Sequence, residues 1–221
     1  MIPTMMLGGA LLGAAAGVSG GGGGGVGATW NPLDKTTGIS LSSADFTAAA
    51  SGSTFEMVRC TLNDLNTSVG GKFYWEMLVD TLDDVSDIFV GIRRTSDAIA
   101  SASSPLAGTH AYWRGNGSYF TGGGWSSGSS PASIAASDVL MFALDVDNGR
   151  LFVGKNGTWN NSGDPAAGTN ASFAGMPSGQ DSAPIFSTDN VNGNVQVTLI
   201  TDPSLLNYSA PSGFTAGLAA P

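Results

Sequence analysis

The stretch 136–159, ASDVLMFALDVDNGRLFVGKNGTW, constrains this chain more than any other. Val139, Met141 and Ala143 alternate with Leu140, Phe142 and Leu144, so one strand carries two apolar faces and must be covered on both sides. Asn148-Gly149 follows, between Asp147 and Arg150. Asn-Gly tolerates positive φ at both central positions, so the spacing predicts a type I′ two-residue turn and a return strand over 151–154. A second Asn-Gly, Asn156-Gly157, stands just before Trp159. The whole stretch reads as an antiparallel hairpin.

The same alternation predicts strands over 38–42, 55–62, 72–81, 87–93, 183–186 and 193–201. In 72–81 it sets Phe73, Trp75, Met77 and Val79 against Tyr74, Glu76 and Leu78. A further pair of strands lies within 109–120, around the turn Gly115-Asn116-Gly117. The small, polar segment 46–53 reads as a loop, as do 63–71, 98–108, 122–131 and the long 160–179. Trp30, beside Pro32, is expected to dock on the body and cap an edge. Leu205, Leu206, Tyr208 and Phe214 are expected to pin 202–221 to the surface. No period of 20–50 residues repeats, which excludes solenoids and propellers. The class is all-β, a two-sheet antiparallel sandwich.

Residues 1–18 are uncharged and apolar. Leu7, Ala10, Leu11, Ala14 and Ala15 recur at helical spacing, a small-residue face that allows close helix approach. A secretory signal would need a basic leading region, and a membrane span would need a run less diluted by glycine. The remaining reading is an assembly anchor, with Ile2, Met5, Met6, Leu7 and Leu11 as its contacts. The glycine run 20–25 follows and reads as a tether. It is not a phosphate-cradling loop, because no strand precedes it and no Lys-Ser/Thr follows. The expected organisation is anchor and tether over 1–27, sandwich over 28–202, and a surface-packed C-terminal extension over 203–221.

Charged residues make up only 11% of the chain, so solubility rests on Ser, Thr, Asn and Gly. With 8 Lys plus Arg and a net charge of −9, a nucleic-acid-binding face is excluded. In Arg93-Arg94, one side chain is expected to face solvent and the other to pair with a nearby Asp. Cys60 is the single cysteine, so the chain has no internal disulfide and no multi-cysteine metal site. It falls in an alternating strand as a buried small residue, with Arg59 on the opposite face.

Several of these segments together resemble the SPRY domain. Gly71-Lys72-Phe73-Tyr74-Trp75-Glu76 is similar to that family's G-K-x-Y-W-E strand, and Val90-Gly91-Ile92 to its V-G-I. The central hairpin is similar to its L-D-x-x-x-G-x-L-x-F-x-x-N-G run, and Ala183-Pro184-Ile185-Phe186 to its P-x-x-S strand. Asn156-Gly157-Thr158-Trp159 with the later run 163–168 resembles the variant found in bacteriophage structural proteins. The resemblance spans about 41–200. It implies a concanavalin-like jelly roll and a recognition role, and it fills the Glu76 position without catalysis; a fold alone does not fix function.

Catalytic patterns are sparse. His110 is the only histidine, no Gly-x-Ser-x-Gly elbow is present, and a histidine zinc cluster is excluded by count. Asp145 and Asp147 stand two apart, as a glycosidase pair would, yet they flank a turn, where Asp satisfies backbone amides. Asp145-Val146-Asp147-Asn148-Gly149 lacks the distal Glu of a calcium loop. The expectation is no catalytic residue, metal or cofactor. Tyr112, Trp113, Tyr119, Trp125 and Trp159 fall in or beside Gly/Asn/Ser-rich connections, and are candidate contacts for a protein or glycan partner. The alternative is that they are core residues and cross-strand pairs.

The expected function is a non-enzymatic bacteriophage virion protein of tail, neck or fibre. It would be oligomeric, would bind other virion proteins and a host-surface protein or glycan, and would have no nucleic-acid partner and no stable membrane span. Two alternatives stand beside it: a glycan-binding or glycan-cleaving sandwich, and a soluble peptide-binding SPRY adaptor.

Overall fold

The computed structural model describes residues 27–50, 55–66, 70–85, 88–99, 108–128, 131–189 and 194–219. The strands are β1 (Trp30–Lys35), β2 (Ile39–Ser42), β3 (Thr47–Ala50), β4 (Glu56–Cys60), β5 (Lys72–Leu82), β6 (Ile88–Arg94), β7 (His110–Arg114), β8 (Ser118–Gly122), β9 (Ser126–Ser127), β10 (Val139–Asp145), β11 (Arg150–Lys155), β12 (Thr158–Trp159), β13 (Phe173–Ala174), β14 (Ser182–Thr188), β15 (Val195–Ile200) and β16 (Thr215–Ala216). Among the described residues the only helix is a 3₁₀ turn at Asn160–Ser162.

Two sheets face each other. The six-stranded sheet runs β1-β4-β14-β6-β7-β8; the ten-stranded sheet runs β2-β3-β15-β5-β10-β11-β13-β9, with β12 beside β11 and β16 beside β5. Every pairing is antiparallel except β16 on β5. The period of two along each strand sends alternate side chains into the space between the sheets. Val58 and Cys60 of β4, Ile88, Val90 and Ile92 of β6, and Phe186 of β14 meet Trp75, Met77 and Val79 of β5 and Leu140, Phe142 and Leu144 of β10. Trp75 and Phe142 are direct cross-strand partners, their rings stacked at 5.3 Å and 7°. Burying each such side chain stabilises the fold by about 1.5–3 kcal/mol.

Both apolar faces of β10 are covered. Its inner face meets the other sheet. Its outer residues Met141 and Ala143 join Tyr74 and Phe152 beneath Leu206, Tyr208 and Phe214 of the C-terminal segment. Three of the four expected pins therefore hold that segment down, while Leu205 stays 66% exposed. Gly91 is required in β6: its φ is 154°, and a Cβ there would stand 2.0 Å from the Ala111 carbonyl oxygen on β7.

Four local expectations are corrected. The Asn148-Gly149 connection is not a two-residue turn: Asp145 pairs with Arg150, and residues 146–149 form a four-residue loop closed by Gly149 N–H to Val146 C=O at 3.2 Å. Gly149 has φ 59°, whereas Asn148 keeps a negative φ. The Asp145 carboxylate accepts from Asn148 N–H at 3.1 Å and holds this wider turn. The two-residue turn, with φ 50° and 82°, is the second one, Asn156-Gly157, between paired Lys155 and Thr158. Thr47–Ala50 is a strand, not a loop, because Ala48 and Ala50 fill the thin edge of the core. Trp30 does not cap an edge from outside; it is a fully buried residue of edge strand β1, paired with Cys60. Arg93 does not face solvent, as described below. The expected anchor residues Ile2, Met5, Met6, Leu7 and Leu11, and the tether, lie outside the described residues.

Candidate functional site

The five loop aromatics do not share a surface. Tyr112 is fully buried on the outer side of the six-stranded sheet, stacked on His110 at 4.6 Å. Trp113 is fully buried between the sheets and donates its indole N–H to the Ala132 carbonyl at 2.9 Å. Trp125 also belongs to the main core. Tyr119 is half-buried against Phe173 at 4.4 Å, and Trp159 meets the edge of Tyr74 at 6.3 Å. These rings pack along a strand, as Tyr112 does on His110, or between elements, as Tyr119 and Phe173 do from opposite sheets.

The groups that could do chemistry are tied into the fold. His110 Nδ1 lies 3.1 Å from the Gly108 carbonyl oxygen; burial, reinforced by Arg93, pushes its pKa down to about 4. The imidazole is therefore neutral at physiological pH. Burial pushes the Cys60 thiol up to about 12, leaving no thiolate for nucleophilic attack. Burial also works against ionisation of Asp145. Hydrogen bonds from Asn148 and Lys72 outweigh it and hold that carboxyl below the ordinary range. Lys72 Nζ stands 3.1 Å from its carboxylate. Asp147 accepts from Gly71 N–H at 2.8 Å. Glu76 is fully buried and accepts from the Tyr74 hydroxyl (2.6 Å), the backbone N–H groups of Asn207 and Tyr208 (2.8 Å each) and Asn207 Nδ2 (3.0 Å). It clamps the C-terminal segment to β5, a role the sequence did not signal. Among the described residues no three His, Cys, Asp or Glu side chains stand together as a metal site would need. A depression of about 410 Å³ on the outer face of the ten-stranded sheet is lined by Ser40, Ala49, Thr81 and Gln196, with no aromatic ring for a sugar to stack on.

A different surface is built with more care. Four of the five arginines, Arg59, Arg93, Arg94 and Arg114, stand on β4, β6 and β7 of the six-stranded sheet. Arg59 is buried, although it stands between the apolar Val58 and Cys60 of β4. Its guanidinium grips Asp34 with two bonds, 2.7 and 3.2 Å. It also donates to the carbonyls of Arg94 and Thr95 (2.7 Å each) and Asp97 (2.9 Å). One planar cation thus fixes two chain segments far apart in sequence, as a bidentate donor fork does well. Arg94 bonds to Asp97 and reaches Gln180 Oε1 at 3.2 Å, and Asp97 in turn accepts from Thr109 N–H at 2.7 Å. Arg93 lies beneath, 2% exposed, donating to the Tyr112 hydroxyl at 3.2 Å. Its partners arrive from β7 (Tyr112) and from the segment after β6 (the Ala98 carbonyl), so it is buried without the solvent exposure its neighbour retains.

The result is a rigid shelf made of the β1 bulge, residues 94–97 and the loop around Gln180. Five residue steps of β1, from Trp30 to Lys35, span only two of β4, so the strand bows outward. Asn31 Oδ1 caps Leu33 N–H at 2.9 Å, and Asp34 is held by Arg59. Leu33 between them is 95% exposed, a large apolar side chain presented on a fixed mount.

No protein-family profile matches the chain, and no curated protein is significantly similar in sequence. The architecture does match solved structures. The SPRY domain of human HERC1 superposes with a TM-score of 0.60 at 12% identity, covering 77% of this chain and 96% of that one. The fold is that of a SPRY domain. A second human SPRY domain aligns with a TM-score of 0.53 at 12% identity, covering 79% of this chain and 98% of that one. The TRIM65 PSpry domain aligns with 0.54 at 14%, covering 79% and 90%. At such identities the likeness concerns fold alone. No helix among the described residues is long and apolar enough to cross a membrane.

Proposed function

We propose that this chain is a non-enzymatic recognition protein of a bacteriophage virion, a tail, neck or fibre component. Its SPRY-like sandwich binds a neighbouring virion protein or a host-surface protein, and its N-terminal apolar segment anchors it in the particle. The observation that carries the recognition role is the shelf organised by Arg59, with Leu33 exposed at its crest. A buried cation that spends all its donors on loop geometry preorganises a contact surface, and preorganisation lowers the entropic cost of association. The virion assignment is supported by the order of apolar segment, glycine run and domain, by the low charge content, and by the motif resemblance around Asn156-Gly157.

Two experiments separate these parts. Deleting residues 1–25 should leave a folded domain that no longer enters particles; normal incorporation of the truncated chain overturns the anchoring role. Leu33→Asp should keep the native unfolding midpoint, since the side chain touches almost nothing, and should lose cross-linking to particle or host-surface partners. Unchanged cross-linking overturns the shelf as the contact surface.

A further inference from the structure

Asn-Gly pairs are the sequence most open to spontaneous succinimide formation, because glycine leaves the following amide nitrogen unhindered. The described residues contain three: Asn116-Gly117, Asn148-Gly149 and Asn156-Gly157. All three asparagines are exposed, yet the fold treats their carboxamides differently. Asn156 is held at both ends: Oδ1 accepts from Val139 N–H at 2.8 Å, and Nδ2 donates to Asp138 at 2.7 Å. Asn148 is held at one end, Nδ2 donating to the Asp145 carboxylate at 2.9 Å. The Asn116 carboxamide, at the tip of the β7–β8 hairpin, makes no hydrogen bond among the described residues. The attacking nitrogens do not explain a difference between the first two turns. Gly117 N–H bonds to Arg114 C=O at 3.0 Å, and Gly149 N–H to Val146 C=O at 3.2 Å.

We infer that Asn116 is a site of spontaneous deamidation in the folded protein, and that Asn148 and Asn156 are protected by their carboxylate partners. The Gly117 amide nitrogen attacks Asn116 Cγ. The new N–Cγ bond forms, the Cγ–Nδ2 bond breaks, and ammonia leaves with the proton from Gly117. Water then opens the ring to aspartate or isoaspartate, adding one negative charge at the hairpin tip. At the other two turns the carboxamide must first leave a charge-assisted hydrogen bond before it can rotate towards its glycine.

The test is peptide mapping of the intact protein after incubation in mildly alkaline buffer, beside the same protein unfolded in urea. The expected result is a gain of one mass unit at Asn116, at least roughly tenfold faster than at Asn148 or Asn156 in the folded state, equivalent to about 1.4 kcal/mol of barrier. In urea the three rates should draw together, since the dipeptide is the same. Equal rates in the folded state, or a lead for Asn148 or Asn156, overturns the inference. So does a folded-state order that persists unchanged in urea, because sequence alone would then set it.

Discussion

Acidification tests the burial of His110 directly, because the chain has only one histidine. Its imidazole is buried against Tyr112, beside Arg93, and its pKa falls from 6.5 to about 4. The folded state therefore refuses a proton that the unfolded state accepts. The resulting stability is complete above the unfolded value, declines as pH falls from about 6.5, and is gone below about 4. Over the full window the shift corresponds to at most about 3 kcal/mol once solvent screening is allowed for, and to about 1.5–2 kcal/mol between neutral pH and pH 5. Urea unfolding followed by tryptophan fluorescence at those two pH values measures the loss. Carboxylates add to it, so His110→Phe, which keeps a ring against Tyr112, serves as the reference. The variant should lose about 1.5–2 kcal/mol less than the parent over the same interval. The single imidazole resonance should titrate near pH 4 in the folded protein. A midpoint near 6.5, or an identical pH slope in the variant, refutes the argument.

Three further outcomes are expected. Glu76→Ala removes the acceptor of four hydrogen bonds and should cost about 3–5 kcal/mol, with faster hydrogen exchange at Asn207 and Tyr208 before the rest of the sheet. Gly91→Ala places a methyl group against the Ala111 carbonyl and should destabilise by about 2–5 kcal/mol in thermal or urea unfolding. Cys60, fully buried in the core, should react with a thiol reagent only as fast as the domain opens, so its labelling rate should track urea concentration.

The sandwich was legible wherever apolar residues alternate over a long run. Residues of β5, β6 and β10 announce both faces, and the expected pins Leu206, Tyr208 and Phe214 are where the second face of β10 needs cover. What stayed hidden depends on distant partners. Ala48 and Ala50 carry no strand preference of their own; neighbours on β2 and β15 make them one. Arg59 looks like a solvent-facing charge until Asp34, 25 residues before it, and the carbonyls 35–38 residues after it arrive. The loop aromatics were misleading for a related reason. Glycine- and serine-rich connections suggest exposure, but Trp113 and Trp125 turn inward from them. Asn148-Gly149 and Asn156-Gly157 look alike in sequence, and distant partners separate them: Asp145 holds the four-residue loop, while Val139 and Asp138 hold Asn156 in the two-residue turn.

The C-terminal clamp has a consequence for biosynthesis. While the polypeptide is leaving the ribosome, Tyr74, Met141 and Phe152 can already line up on their sheet, but the residues that shelter them come some fifty positions after Phe152. Until Tyr208 and Phe214 emerge, the nascent chain carries a greasy flank, and the Glu76 carboxylate has only the Tyr74 hydroxyl of its four donors. A ribosome stalled just short of that point should display a species that chaperones hold, and release of the last segment should free it.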